Sequence, residues 1–509
     1  ATMSMSAETI KTGGWNAQFT PVNLEDTEDL DGPKTAVAND GSVFVSSTYM
    51  KVFTFAGKPL ADPEDMASSC VVKYNNKGEE QWAVSFVGNA TITAMTADGE
   101  GNLYVTGGFD EEVKYTGADG TTASINSGEG GLSAFVAKIS KDGKFEAVKV
   151  IKSCVNAEIY AIEGDPYDMG FDMPIYDLSG NDPLYVQPTS IMVAGDKVYV
   201  SATYTGDIEA LGWKGAYCNY FGMMIFDMRS MGIFSLSKAD LSDPQNVAYA
   251  QTTGTVTDGT QNWPESFKFV IKNTKLYALL YGFGSLTVTT AAGSQEVVFG
   301  SDLEGNNEHG IALFRIDGNN NRPLVFHADI AEAPLSASYT ITDVDAYAGT
   351  LYFAGTFHGD FPLTETVETN EFDAAYVAAI DLGESKVKWT QLQTVESAGR
   401  GLVLTGEELH AASTLGKTTY NTLTGEVKGS EDIKADDSAS CDNAYVAIVY
   451  MDGTDVKVVA PEMNVDTAVE SIDAPAVEVS GQRVNLAGQP VDDSYKGIVV
   501  VDGKMFYAK

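Results

Sequence analysis

The sequence predicts an all-β chain built of repeats, and three observations predict it. First, a turn followed by a short strand with an aromatic or His residue among aliphatics recurs six times: Ser42-Val43-Phe44-Val45, Asn102-Leu103-Tyr104-Val105, Lys197-Val198-Tyr199-Val200, Lys275-Leu276-Tyr277-Ala278, Thr350-Leu351-Tyr352-Phe353 and Glu408-Leu409-His410-Ala411. Second, each copy follows another short apolar strand, such as Ile92 to Thr96 or Ile191 to Ala194, through a tight Asp-Gly or Ala-Gly-Asp turn, the mark of a β-hairpin. Third, a further strand repeats after each hairpin: Cys70 to Tyr74, Ala134 to Ile139, Ile233 to Lys238, Ile311 to Ile316, Ala375 to Ile380 and Ala444 to Val449. A turn such as Lys141-Asp142-Gly143-Lys144 then leads into a fourth strand. Four antiparallel strands per unit of roughly 60 to 75 residues is the pattern of a six-bladed β-propeller, with a seven-bladed ring as the alternative.

The elements follow in order. Residues 1–34 are polar and acidic apart from Gly14-Trp15-Asn16-Ala17-Gln18-Phe19, which matches the unit-closing strands Gln81-Trp82-Ala83-Val84-Ser85-Phe86 and Lys388-Trp389-Thr390-Gln391-Leu392. Having no unit of its own, it is expected to close or flank the ring. The blades are expected at 35–88, 90–153, 187–253, 265–329, 339–394 and 396–462, so that 35–462 is the propeller. Residues 463–509 are a separate tail, with a hairpin centred on Asp502-Gly503.

Charge narrows the partners. Lys and Arg number 32 against 71 Asp and Glu, a net charge of -39, which repels phosphate backbones and anionic lipid. Nucleic acid is therefore excluded as a natural partner. No apolar run approaches the ~18 residues of a membrane-spanning helix, and the start of the chain reads as one whose export signal has been removed.

Two resemblances refine this. Thr106-Gly107-Gly108-Phe109 with Ala134-Phe135-Val136-Ala137-Lys138-Ile139, and Gly355-Thr356-Phe357-His358-Gly359-Asp360-Phe361-Pro362 with Asp373-Ala374-Ala375-Tyr376-Val377-Ala378-Ala379-Ile380-Asp381, resemble the β-propeller repeat of extracellular bacterial proteins. That family shares a fold and no common activity. Gly481-Gln482-Arg483-Val484, Leu486 to Val491 and Lys496 to Met505 resemble C-terminal segments of exported Bacteroidetes proteins, which implies an exported protein at the outer-membrane surface or outside the cell.

Chemistry-bearing motifs are few. The four histidines, His309, His327, His358 and His410, form no HExxH, and no Cys-x-x-Cys occurs, so the sequence offers no zinc or iron site. His410 stands in the aromatic slot of the repeat and reads as a core residue. No catalytic residues are assigned, and no cofactor is expected. Calcium is the one candidate ion, at Asp302 to Glu308 or at Asp317 to Asn321, but neither loop has the mid-loop Gly and closing Glu of an EF-hand. The four cysteines, Cys70, Cys154, Cys218 and Cys441, allow two disulfides. The ring model pairs Cys154 with Cys218 and Cys70 with Cys441, against the alternative of four buried thiols.

Loop length locates a functional face. Turns between strands one and two, and between three and four, are short; the long links emerge on the opposite face. Two insertions dominate it, Cys154 to Val186 and Leu211 to Met231. Their aromatic residues, with Trp213, Tyr217, Tyr220, Phe221, Tyr167 and Phe171 as candidate partner-binding residues, suit an adaptable contact surface. The competing expectation is that the insertions pack on each other and plug the channel. The function read from this is a non-catalytic cell-surface propeller that binds a protein partner, a peptide or a glycan, as an accessory lipoprotein of an outer-membrane nutrient importer. Its alternatives are a glycan-active enzyme and a structural adhesion component.

Overall fold

The computed structural model describes residues 9–466 except 24–31, 64–65, 128–130, 155–162, 165–172, 175–183, 221–223, 254–263, 273–274, 300–308, 317–323, 331–337, 362, 364–367, 406, 433–437 and 443–444, and beyond them 484–485, 497–501 and 504–508. Among the described residues the one helical element is a 3-10 turn, Glu209–Leu211; the rest of the regular structure is β-strand. The chain divides into two compact units, residues 1–10 with 464–509 and residues 11–463. In the smaller unit Val484–Asn485, Gly497–Val501 and Lys504–Ala508 form a three-stranded antiparallel sheet, with Val501 opposite Lys504.

The larger unit is a succession of four-stranded antiparallel meanders in a propeller arrangement. The first runs Lys34–Val37, Val43–Tyr49, Ser68–Tyr74 and Glu80–Val87. The second runs Ala90–Ala97, Leu103–Phe109, Gly131–Ile139 and Phe145–Ile151; the next Leu184–Ala194, Lys197–Tyr204, Ser230–Ser237 and Gln245–Thr252. Further meanders begin at Pro264–Lys272, Ser338–Tyr347 and Gly399–Thr405. The last comprises Ser438–Asp442, Tyr445–Asp452 and Asp455–Ala460, with Trp15–Phe19 as its outer strand. The first strand of each meander touches the first strand of the next, and Ser438–Asp442 touches Lys34–Val37, so the inner strands close a cycle around an axis. Apolar side chains on facing sheets make the core. Phe44, Val71 and Trp82 pack with Ile92, Leu103 and Phe135, and Val43, Cys70 and Val72 pack with Ala447, Val449 and Val458.

The repeated residues have identifiable work. The closing Trp of one meander docks on the Gly of the next meander's last turn: a Cβ on Gly143 would lie 3.0 Å from the Trp82 ring, and one on Gly425 2.7 Å from Trp389. The indole N–H groups donate to turn carbonyls at the same joints, Trp82 to Lys141 at 2.9 Å and Trp389 to Thr422 at 3.1 Å. Trp15 repeats this across the join of last and first meanders, with Gly78 as its seat at 2.7 Å. Only glycine fits, because the ring occupies the space a Cβ would take and φ is +78°. The aromatic slot adds a second clasp: the Tyr104 hydroxyl donates to the Lys238 carbonyl at 3.2 Å, and Tyr352 to Thr422 at 3.1 Å.

Two expectations change here. Residues 396–462, expected as one blade, are divided between two sheets: Glu408–Ser413 pairs with Gly416–Asn421, whereas Tyr445–Asp452 pairs with Ser438–Asp442 and Asp455–Ala460. The strand after His410 is polar, Lys417-Thr418-Thr419-Tyr420, so apolar pattern alone skipped it. The links between second and third strands also do not all stay on one face. Glu112–Thr116 and Thr122–Asn126 fold as a hairpin onto the outer strand Glu80–Val87 of the preceding meander, and Ser285–Thr290 with Gly293–Val298 does the same on Gln245–Thr252.

Candidate functional site

The base of the Leu211–Met231 insertion is firmly built. Asp207, buried at 6% exposure, exchanges two backbone hydrogen bonds of 2.8 Å with Cys154, which joins the two long insertions at their roots. Its carboxylate accepts from the Gly215 N–H at 2.8 Å and from the Lys214 ammonium at 2.6 Å. Trp213 is fully buried: its ring lies over Gly232, where a Cβ would come within 2.4 Å, and its centroid is 4.9 Å from that of Tyr204. The indole N–H donates to Asn246 Oδ1 at 2.7 Å, and the Tyr204 hydroxyl to the Lys214 carbonyl at 3.0 Å. Above this base Ala216–Tyr220 and Met224–Met228 pair only with each other among the described strands.

Trp213 is therefore a correction. With no exposed surface it is the root that anchors the insertion and not a ring offered to a partner; an amphipathic aromatic in a loop reads the same in sequence whether it points in or out. Tyr217 and Tyr220 lie on the hairpin, opposite Asp227 and Met224, with their side chains outside the described residues. Phe221, Tyr167 and Phe171 lie outside them altogether, as do both calcium candidates, Asp302 to Glu308 and Asp317 to Asn321. The disulfide pairing is also corrected, since Cys70 and Cys154 are both free. Cys70 does face the last meander, but among Ala447, Val449 and Val458, where its Sγ–H donates to the Ser47 carbonyl at 3.4 Å and burial pushes the thiol up to about 12. His410 is the core residue expected: 6% exposed, it bridges Thr405 Oγ1 at 2.8 Å and Thr419 Oγ1 at 2.9 Å, and burial holds it down at about 4.

A second constellation, missed in the sequence, lies on the inner strands. Five of them carry one β-bulge, which skips Thr93, Thr189, Glu265, Thr342 and Arg400 in the strand register; four of the bulges stand at the same level, and the one at Glu265 falls two residues farther along its partner strand. A bulge turns the local backbone and re-aims side chains. Glycine on the second strand makes room for it: a Cβ on Gly107 would lie 1.9 Å from the Thr91 carbonyl oxygen, and on Gly355 1.8 Å from that of Thr340. At this level the Lys268 ammonium donates to the Thr189 carbonyl at 2.9 Å, reaching from one inner strand to its neighbour. Asp343 accepts from its neighbour's N–H, Val344, at 2.9 Å and from Leu402 on the next inner strand at 3.1 Å.

Both side chains are half-buried, and protein surrounds them closely enough for desolvation to dominate. Burial pushes Asp343 up to about 6 in spite of its two donors. Burial lowers Lys268, Asp343 opposes that, and Lys34 from the first meander adds to it. The sequence signal was faint: Thr189-Ser190 and Thr342-Asp343 are polar pairs that interrupt a two-residue alternation.

No family model matches the chain, and no curated protein does. Solved structures to which the chain is similar include BamB from Moraxella catarrhalis, with 10% identity, 89% of this chain and 100% of that one covered, and a TM-score of 0.38. A quinohemoprotein alcohol dehydrogenase from Pseudomonas putida HK5 is similar at 12% identity over 93% of this chain and 79% of its own, TM-score 0.42. An α-L-arabinofuranosidase from Fusarium graminearum is similar at 9% identity over 80% and 93%, TM-score 0.38.

Proposed function

We propose that the chain is a non-catalytic binding propeller of the bacterial cell surface, which holds a protein partner through the hairpin Ala216–Tyr220 and Met224–Met228. The observation that carries this reading is the contrast between root and tip. Asp207, Trp213 and Tyr204 fix the base through buried contacts, while the hairpin pairs with no other described strand. A rigid pedestal under a self-contained hairpin lowers the ordering cost of binding, which is what a recognition loop needs. An accessory lipoprotein of an outer-membrane nutrient importer fits this reading and the net charge of -39, which keeps the body of the molecule from anionic lipid.

The ring itself is read as seven blades. Seven first strands stand in one cycle of contacts, with Trp15 docking the last meander on the first. The closing strand Trp15–Phe19 then comes from the opposite end of the chain from its three partners, so the ring is clasped without a disulfide.

The test replaces residues 216–228 with a short Gly-Ser linker and compares the two proteins in pull-downs from detergent-solubilised envelope. Loss of the co-purifying protein with an unchanged unfolding midpoint is expected. Equal recovery of partner by both proteins refutes the hairpin as the contact.

A further inference from the structure

The axial cluster goes beyond the partner-binding reading and stands independently of it. Lys268 makes one hydrogen bond among the described residues, to the Thr189 carbonyl, which leaves its ammonium with donor capacity for two more acceptors. Lys34 lies on the far side of the ring and acts on Lys268 as a second positive charge. Asp343 uses two of its lone pairs on the Val344 and Leu402 N–H groups and keeps others for a donor. The axis thus offers an under-used cationic donor and an acceptor carboxylate at one level of neighbouring inner strands, Lys268 opposite Leu279 and Asp343 opposite Ala354.

We propose that the axis binds a hydroxy-carboxylate of uronic-acid type, its carboxylate accepting from Lys268 and its hydroxyls donating to Asp343 and the neighbouring carbonyl. The complementarity selects this class among small ligands. A neutral sugar leaves the ammonium unpaired, a phosphate dianion meets Asp343 with greater repulsion, and a simple carboxylate leaves the acceptors unused. A surface of charge -39 disfavours casual anion binding elsewhere, so an observed carboxylate site has to be a built one.

The probe is D-glucuronate, titrated calorimetrically into the full chain at physiological salt, with glucose, acetate and glycine as comparators. Saturable binding near one equivalent is expected for glucuronate, with each comparator weaker. Lys268→Met is expected to weaken it by at least about tenfold, the effect of removing a charge-assisted hydrogen bond, while circular dichroism and the unfolding midpoint stay unchanged. Asp343→Asn is expected to keep acetate-level binding and lose the preference for glucuronate over acetate. Absence of saturable binding up to about 10 mM, a very weak limit, overturns the proposal. So does glucuronate binding that survives Lys268→Met, or acetate or glycine binding as tightly as glucuronate.

Discussion

Asp343→Asn and His410→Phe are expected to reveal two opposed pH dependences that cancel in the parent protein. Asp343 is held at about 6 against an ordinary value of 3.8, so between these values the folded chain keeps a proton that the unfolded chain has released. Its contribution is fully present below pH 3.8 and lost as pH rises through 6. His410 is held at about 4 against 6.5, so there the unfolded chain binds the extra proton, and stability is lost as pH falls through that window. At 1.36 kcal/mol for each unit of pKa, gaps of 2.2 and 2.5 set ceilings of about 3 kcal/mol apiece. Asp343 is partly exposed, so solvent screening of it and of the nearby Asp345 and Lys268 reduces its share to about 1 to 2 kcal/mol. His410 is nearly enclosed, with Lys417, Lys428, Glu408 and Glu431 around it, and keeps about 2 to 3 kcal/mol. Urea unfolding at half-unit steps from pH 4 to 7 measures both effects as differences from the parent, which removes the background of the other carboxylates. Relative to parent, Asp343→Asn is expected to lose stability on acidification and His410→Phe to gain it. The slope is the quantity to read for Asp343→Asn, since its amide nitrogen faces one of the two donors and shifts the absolute value. Difference curves that are flat, or both of the same sign, refute the placement of these groups.

The clasp between the ends of the ring predicts that Trp15→Ala costs about 2 kcal/mol, less than a fully buried Trp because the ring is half-exposed. Gly78→Ala is expected to cost a similar amount, and the double mutant clearly less than the sum, because both act on one contact; additive costs remove the clasp. Cys70 is expected to be unreactive towards a thiol reagent in the native protein and fully reactive in urea, since its thiol is both buried and pushed up to about 12. Rapid native labelling of Cys70 contradicts its packing. Asp207→Ala is expected to cost about 1 to 3 kcal/mol by stranding the buried Gly215 N–H, and to weaken partner retention; an unchanged midpoint in thermal unfolding denies the pedestal.

The sequence by itself determined the class of fold and most of its strands, because a turn residue every few positions and a two-residue apolar alternation are local signals that each meander repeats. It also picked out Trp82 and Trp389 as unit-closing, and matched Trp15 to them across most of the chain's length. Where a repeat lost its apolar pattern, as in Lys417 to Tyr420, the strand vanished from the sequence reading and two sheets merged into one. Only the tertiary structure decided which aromatics of the insertion face inward. Trp213 became a root because Gly232 and Asn246, on neighbouring strands, left it a seat and a hydrogen-bond acceptor. The axial cluster was equally hidden: Thr189, Lys268 and Asp343 lie on three successive meanders, and no local pattern reports that the packing of their inner strands brings them together. Local patterning encodes strands because each depends on its own few residues; a site shared by inner strands depends on how separate meanders pack, which no segment carries alone.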